Sequence, residues 1–308
     1  MIQTDILIIG SGPAACSAAV YTLRAGLKTV LLAGDNPGGQ LVQTNDIENF
    51  PGFVNPVSGF DLMDNMQKQA KRLGAEIIND KALKLDVSSK PFAVTSAGGE
   101  TYKALSVIIA TGSAARWLGV EGETKYKGRG ISACATCDGF FYKGKEVCVV
   151  GGGNTAFEDA LFLTNFCKKV YLIHRRGEFR AQQVTVNKAK ANPKIEMVLC
   201  SVVDKLEGDE KGLSGIVVRN VVNDNLRHID IQGIFVAVGS VPQTDFLKGS
   251  VELLASGQVK TDERTRTSVE GVFAAGDCAD PFYRQGVIAA GTGAKAAIEA
   301  IAYVNLVK

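Results

Sequence analysis

Two glycine-rich turns, each set between an apolar run and a helical stretch, constrain this chain more than any other feature. Residues 5–9 (DILII) lead straight into GSGPAACSAAVYTLRAG. That order describes a buried strand, a tight turn and an alanine-rich helix closed by Gly26. KTVLLA, residues 28–33, supplies the next strand and completes a β-α-β motif. Residues 147–173 repeat the pattern as VCVV, GGGNTAFEDA, a helix and KVYLI. Two such motifs, opened by Gly10 and Gly151, predict two nucleotide-binding domains, and a chain of 308 residues has the length for two.

The segments between and after them suggest how the domains are threaded. LKLDVSS, FAVTSAG and TYKA alternate in the manner of short antiparallel strands. SVIIATGS (106–113) and GIFVAVGSVP (233–242) are apolar strands ending in glycine, and they bracket the second motif. The expected architecture is α/β, with two Rossmann-like, three-layer β/β/α domains. The second, residues 114–244, is inserted into the first, residues 1–113 and 245–308. The tail, GVFAAGDCADPFYRQGVIAAGTGAKAAIEAIAYV, reads as a strand, a loop holding Asp277 and a long helix.

Bulk properties narrow the class. Hydrophobic residues make up 46% and charged residues 21%, enough for a sizeable core with an ordinary soluble surface. A formal net charge of +2 gives no reason to expect nucleic acid or an anionic membrane. No apolar run approaches the ~18 residues of a membrane span. The start, MIQTDILIIG, has no basic region or cleavage site of a signal peptide. A cytoplasmic protein is expected. Seven cysteines with one close pair do not resemble a secreted disulfide framework, and in a reducing compartment such a pair is catalytic or metal-binding.

GSGPAA fits G-x-G-x-x-A: Gly10 for the turn, Gly12 for close approach of a pyrophosphate, and Ala15 for helix–strand packing. The helix behind it offers N–H groups and the positive end of its dipole. The acid expected ~20 residues on is not clean, since Asp35 lies past the strand end at Ala33. GGGNTA, Gly151 to Ala156, fits the same pattern. After its second strand come His174, Arg175 and Arg176, with Arg180 nearby. A carboxylate there would suit the NAD 2′-hydroxyl; an arginine pair suits a 2′-phosphate through charge-assisted bonds, which points to NADPH. The first site lacks such a cluster and is expected to hold FAD. Asp277, at the end of the VFAA strand, is placed to accept hydroxyls of a ribityl chain, and the helix after YRQG can point its positive end at a flavin.

Cys134 and Cys137 form a C-x-x-C followed at once by Asp138. A structural zinc needs four ligands, and this chain has only two histidines, His174 and His228, neither at ligand spacing. A buried structural pair is the second alternative. The favoured reading is a redox dithiol, because C-x-x-C lowers one thiol's pKa and permits a reversible disulfide. Asp138 is placed to move the proton that thiol chemistry requires. Cys16, Cys148, Cys167, Cys200 and Cys278 stand singly in apolar surroundings and are read as core.

SACATCDGFFY, with GSGPAA, GGQL, GGGNTAFEDA, HRR…FRA, AAGD and YRQ…AAGTG, resembles the low-molecular-weight prokaryotic thioredoxin reductases from Asp5 to about Val304. The resemblance implies a homodimeric flavoprotein that passes electrons from NADPH through FAD and a disulfide to thioredoxin. By motif position it implies that Cys137 is nearest the flavin, that Cys134 attacks the partner disulfide and that Asp138 is the acid/base. Gly38, Gly39, Gln40, Asp277, Arg284 and Gln285 match the family's FAD residues, and Pro13, Ala14, Gly34, Asp35, Leu41, Asn49, Thr111, Gly112, Gly276 and Gly286 are further candidates. Arg175, Arg176 and Arg180 match the NADPH 2′-phosphate cluster, with Gly151, Gly153, Asn154, Thr155 and His174 alongside. The chain departs from the family at the last position of GSGPAA and at Gly286, both small-for-small changes.

Since the C-x-x-C and the NADPH motif share one domain, both visiting one flavin requires that domain to reorient, with hinges expected near Gly112–Arg116 and Gly239–Thr244. A flavin NADPH reductase of another small disulfide protein or a peroxidase partner would share this core. Ferredoxin–NADP reductase relatives lack the C-x-x-C.

Overall fold

The computed structural model describes residues 1–44 and 47–308. The chain divides into a discontinuous unit, Met1–Ala114 with Val241–Lys308, and a continuous one, Ala115–Ser240. In chain order the first stretch holds β1 (Ile2–Ile9), α1 (Pro13–Arg24), β2 (Thr29–Leu32), α2 (Gly59–Arg72), β3 (Glu76–Ile78), β4 (Ala82–Asp86), β5 (Phe92–Ser96), β6 (Thr101–Ile109) and β7 (Ser113–Ala115). There follow α3 (Glu123–Tyr126), β8 (Ile131–Ser132), α4 (Ala135–Asp138), β9 (Glu146–Val150), α5 (Asn154–Leu163), β10 (Lys169–Ile173), α6 (Gln183–Ala191), β11 (Ile195–Val198), β12 (Ser201–Asp209), β13 (Gly212–Asn220), β14 (Leu226–Asp230) and β15 (Gly233–Val236). The chain returns through β16 (Ser240–Pro242), β17 (Val272–Ala274) and α7 (Gly286–Val307). β7 and β16, which carry the two crossings, pair with each other.

The discontinuous unit is built on a sheet ordered β3-β2-β1-β6-β5-β4, with β17 also paired to β6. TYKA and SVIIATGS, read above as separate segments, are one strand here. Its first half pairs antiparallel with β5, and its second half, Val107–Ile109, pairs parallel with β17. One strand thus serves the parallel nucleotide-binding sheet and the antiparallel layer beside it. β1 and β2 are near-continuous apolar runs because both faces of a parallel sheet are covered. One face packs on α1 and α7, through Ala15, Ala18, Ala297 and Ala300; the other packs on Leu85, Phe92 and Val94 of the antiparallel layer.

α7 corrects the reading that no segment is long and apolar enough to span a bilayer: its 22 residues pass that test by length and composition. Its small side chains, Gly293, Ala296, Ala297 and Ala300, are buried against the sheet and α1, the pattern of a core helix.

In the continuous unit a five-stranded parallel sheet runs β11-β10-β9-β15-β8, and β12, β13 and β14 form a separate antiparallel sheet. Val147, Val149 and Leu172 face α5 and α6, while Cys148, Ile173 and Ile234 face the three-stranded sheet. Both expected βαβ motifs and the β/β/α layering are present.

Candidate active site

In the discontinuous unit the cradle begins at Gly10, whose φ of +130° and contact with the Ala110 carbonyl leave no room for a Cβ. Gly12 is the N-cap of α1, Pro13 opens the helix, and no side chain caps it, so the first-turn N–H groups remain available to an anion. Ser11, an unspecified position of the motif, is the organiser. Its hydroxyl donates to the Ala33 carbonyl at 2.9 Å and accepts from Gly38 N–H at 3.0 Å. That brings the GGQ loop to the first turn. Gly38 and Gly39 have φ of +90° and +69°. A Cβ on Gly39 would lie 3.8 Å from the Gly12 Cα, so the glycines keep a narrow space open between the turns.

Around that space stand the other candidates. Gln40 donates to the Ser113 carbonyl. Thr111 Oγ1 donates to the Gln243 carbonyl at 2.7 Å, and Gly112 O accepts from Gln243 N–H. Asn49 Nδ2 donates to Gln285 Oε1 at 3.1 Å, and Gln285 is the N-cap of α7, which again has no side-chain cap. A Cβ on Gly286 would come 3.1 Å from Leu41 Cδ1, so glycine there relieves the contact with Leu41. Gly276 (φ +72°) packs near Ala14 and Ala289, bringing the starts of α1 and α7 together.

Asp277 sits in a short turn after β17 rather than in the strand itself. Burial pushes its carboxyl up to about 6, opposed by the Arg284 charge and the Ser113 hydroxyl. Asp35 is different. It is exposed and ion-paired with Lys81 at 2.9 Å, and beside it Gly34 turns the chain at φ +78°.

In the continuous unit, Gly151 lies against the Ala237 carbonyl, with no room for a Cβ. Gly153 is the uncapped N-cap of α5 and its Cβ position is open. The segment after β10 folds back onto this turn. Arg180 N–H donates to Gly152 O at 3.0 Å, and Gln182 N–H to Asn154 Oδ1 at 2.7 Å. The His174 ring fills the space a Cβ on Gly152 would take and stacks 5.4 Å from Phe179. Burial, reinforced by the three arginine charges, lowers its pKa, so at neutral pH it is an uncharged wall of the site. Arg175, Arg176 and Arg180 are exposed, and none of them is ion-paired to a carboxylate among the described residues. A helix start without a cap and three cations beside it fit a pyrophosphate carrying an additional phosphate. Thr155 follows Asn154 in the first turn of α5.

The dithiol motif lies in the same unit. Cys134 and Cys137 are joined as a disulfide, with Cα atoms 5.3 Å apart. β8 leads in to Cys134, which is the N-cap of α4. Asp138 ends α4, half-buried, and burial raises its carboxyl above the usual range, opposed by the polar Ser132 side chain nearby. Nearby, Tyr142 is pushed up to about 12 by burial and by the Asp138 charge. A carboxyl held above its ordinary pKa can keep a proton and pass it on, which suits an acid/base beside a dithiol.

The remaining cysteines are free. Cys16, Cys148, Cys167 and Cys278 are buried, and burial raises all four thiols. Cys200 departs from the core reading: it is half-buried, in a turn with φ of 49°. A separate open cavity of about 410 Å³, lined by Glu146, Lys168, Tyr171, Arg227 and Gln232, contains neither cysteine of the pair nor any of the three arginines. Ser11, Ser113 and Ser132 are the residues that sequence reasoning missed. Ser11 stands inside GSGPAA and Ser132 opens SACATCDGFFY, but neither motif specifies a serine there, and each of the three matters through a turn that folding creates.

Residues 4–299 match the family described as Pyridine nucleotide-disulphide oxidoreductase. A thioredoxin reductase of Rickettsia conorii is 48% identical over 307 residues, covering 99% of each chain. Among solved structures, a thioredoxin reductase from Giardia duodenalis superposes with a TM-score of 0.95 at 41% identity, covering 99% of this chain and 100% of the other. One from Streptococcus pyogenes gives 0.94 at 38%, covering 99% of both.

Proposed function

We propose a function for this chain from one premise: it belongs to the pyridine nucleotide-disulphide oxidoreductase family. It is an NADPH-dependent thioredoxin-disulfide reductase and a flavoprotein. The observation that carries this reading is the Cys134–Cys137 disulfide with the Asp138 carboxyl following at once, in a unit that also presents three arginines, without a carboxylate partner among the described residues, and an uncapped helix start.

FAD is assigned to the discontinuous unit, Met1–Ala114 with Val241–Lys308, and NADPH to the continuous one, Ala115–Ser240. Gly10, Gly12 and Ala14 with Gly38 and Gly39 would cradle the FAD pyrophosphate, and Asp277 with Gln285 and Arg284 would hold the part nearer the ring. Gly151, Gly153, Asn154 and Thr155 would take the NADPH pyrophosphate, and Arg175, Arg176 and Arg180 its 2′-phosphate. Bound flavin supplies a centre that accepts a hydride and returns two electrons to a disulfide.

The protein's sulfurs do the rest. In the reduced dithiol, the Cys134 thiolate attacks one sulfur of the partner's disulfide. A Cys134–partner bond forms, the partner's sulfur–sulfur bond breaks, and one partner thiolate leaves. Cys137 then attacks Cys134, re-forming the Cys134–Cys137 bond and releasing the second partner thiolate. The partner has gained two electrons. Asp138 holds or yields the proton each departing thiolate requires. The partner is thioredoxin and the enzyme a homodimer, both resting on the family resemblance, and five free cysteines suit a cytoplasmic setting.

The test is anaerobic titration with NADPH, followed by visible absorbance, with thioredoxin then added and Cys134→Ser run in parallel. Flavin bleaching that thioredoxin reverses only when Cys134 is present is the expected result. Bleaching that thioredoxin cannot reverse moves the partner to another small disulfide protein. A colourless protein, or no bleaching, overturns the reading.

A further inference from the structure

The loop that carries Arg175 and Arg176 is clasped by two rings, one at each end. His174 and Phe179 are half-buried, whereas the four residues between them are exposed and belong to no helix or strand. The two rings lie 5.4 Å apart, tilted by 31°, and His174 Nε2 donates to the Glu178 carbonyl at 3.0 Å. His174 is anchored to the sheet: its N–H donates to Val198 O at 2.9 Å, and its own carbonyl accepts Ser201 N–H at 2.9 Å. Phe179 is anchored to α5. It meets Phe157 of that helix edge to face, with centroids 4.8 Å apart at 86°, and Phe157 is fully buried. Both separations fall within the range at which aromatic pairs attract.

We propose that Phe179 is a positioning residue for NADPH selectivity: its ring holds the loop against α5, so that Arg175, Arg176 and Arg180 stand ordered before a 2′-phosphate arrives. This rests on the reading of those arginines as the 2′-phosphate cluster. A phenyl ring offers a phosphate no hydrogen bond, so its effect on that group passes through the arginines. Long exposed side chains on an irregular loop lose conformational freedom when they close on an anion, and that loss is subtracted from affinity. A loop already fixed at both ends loses less. Gly177, in its middle, adds backbone freedom that the clasp offsets.

The pyrophosphate turn has supports of its own. Gly151 N–H donates to Ile173 O at 3.0 Å, Ala237 N–H donates to Val150 O at 2.8 Å, and β9 is paired on both sides, with β10 and β15. None of these passes through Phe179. Losing the phenyl ring therefore frees the arginine loop and leaves the turn of Gly151 to Thr155 standing, so the 2′-phosphate is held less well and the pyrophosphate as before. Phe179 also packs against the core of Ala156, Leu163 and Phe235. Were that its whole role, removing it would weaken NADPH and NADH alike.

The experiment measures NADP⁺ binding to the oxidised holoenzyme by calorimetry, and KM for NADPH and NADH, in wild type, Phe179→Ala and Phe179→Tyr. In F179A the Kd for NADP⁺ and the KM for NADPH rise roughly tenfold, the size of one charge-assisted hydrogen bond, while KM for NADH changes by less than about twofold. F179Y retains the ring and stays near wild type. Phe179→Leu serves the same comparison should F179A not hold its flavin, since it keeps bulk in the core and loses the ring. In a protein carrying both Arg175→Ala and Arg176→Ala, adding F179A changes KM for NADPH far less, because the groups it positions are gone. An equal rise for NADPH and NADH, no rise at all, or a rise undiminished without the two arginines overturns the proposal. If the double arginine variant binds NADP⁺ as tightly as wild type, the reading of the arginines falls first, and this inference with it.

Discussion

Ser113 donates its hydroxyl to Asp277 Oδ2 across 3.4 Å, joining the segment that leaves β6 to the turn that follows β17. Gln40 reaches the same serine. The bond orients the carboxyl, and a carboxylate has further lone pairs for hydroxyl donors. Asp277→Ala is expected to weaken flavin retention by roughly ten- to hundredfold, the span of one or two hydrogen bonds to a charged group. Fluorescence of released flavin on dilution measures it. Unchanged retention would take Asp277 out of the flavin site.

The same residue gives the flavin-free protein a signature in pH. Burial favours the neutral carboxyl, so the folded protein holds its proton up to about 6, whereas the unfolded chain loses it near the ordinary 3.8. Between those values the folded state binds more protons, and this contribution to stability falls as pH rises, by at most a few kcal/mol. Asp80 and Asp86, whose carboxyls are lowered, act in the opposite sense. The difference between wild type and Asp277→Asn therefore isolates the effect. Urea unfolding at the two ends of the window should show the variant gaining on wild type toward higher pH; parallel curves would contradict the assignment.

Arg175 and Arg176 project into solvent without a carboxylate partner among the described residues, so their substitution disrupts no internal ion pair. Arg175→Ala and Arg176→Ala should each raise KM for NADPH roughly ten- to hundredfold and leave KM for NADH nearly unchanged. Steady-state kinetics with both cofactors decides it. An equal rise for NADH would mean that the arginines serve the pyrophosphate rather than the 2′-phosphate.

The two β-α-β motifs were legible because glycine spacing and apolar runs are local signals, and Gly10, Gly12, Gly151 and Gly153 stand where those signals place them. The dithiol was legible for the same reason. The division of β6 between two layers was not, since TYKA and SVIIATGS differ in burial along one strand and so read as two. Asp35 shows the limit of a spacing rule. It lies near the distance at which a ribose carboxylate is expected, yet the chain has left β2 and turned at Gly34, and the side chain pairs with Lys81. Ser11, Ser113 and Ser132 act through residues 27, 164 and 2 positions away respectively, and a lone serine announces none of that.

α7 contains its own control for close packing. A Cβ on Gly293 would overlap the Ala14 carbonyl, whereas nothing lies within 4 Å of the Cβ position of Gly291. Gly293→Ala should force α1 and α7 apart, costing about 1–3 kcal/mol and loosening the glycine-rich turn that Ala14 follows. Gly291→Ala should be neutral or stabilising by up to about 1 kcal/mol through helix propensity. Thermal unfolding of the two variants should bracket wild type, and a Gly293→Ala protein as stable as Gly291→Ala would refute the packing argument.

Thr136 Oγ1 lies 3.4 Å from Cys134 Sγ. A disulfide sulfur carries no proton, so the hydroxyl is the donor, and after reduction the same bond would reach a thiolate. Hydrogen bonding to the charged form lowers a thiol's pKa, so Thr136→Val should raise that of Cys134 by roughly half a unit to one unit. At neutral pH the thiolate fraction then drops several-fold. The NADPH-reduced variant should react correspondingly more slowly with iodoacetamide at Cys134, and recover as pH rises. Mass spectrometry of the alkylated peptides separates Cys134 from Cys137. A pH dependence at Cys134 identical to wild type would show that the contact does nothing for the thiolate.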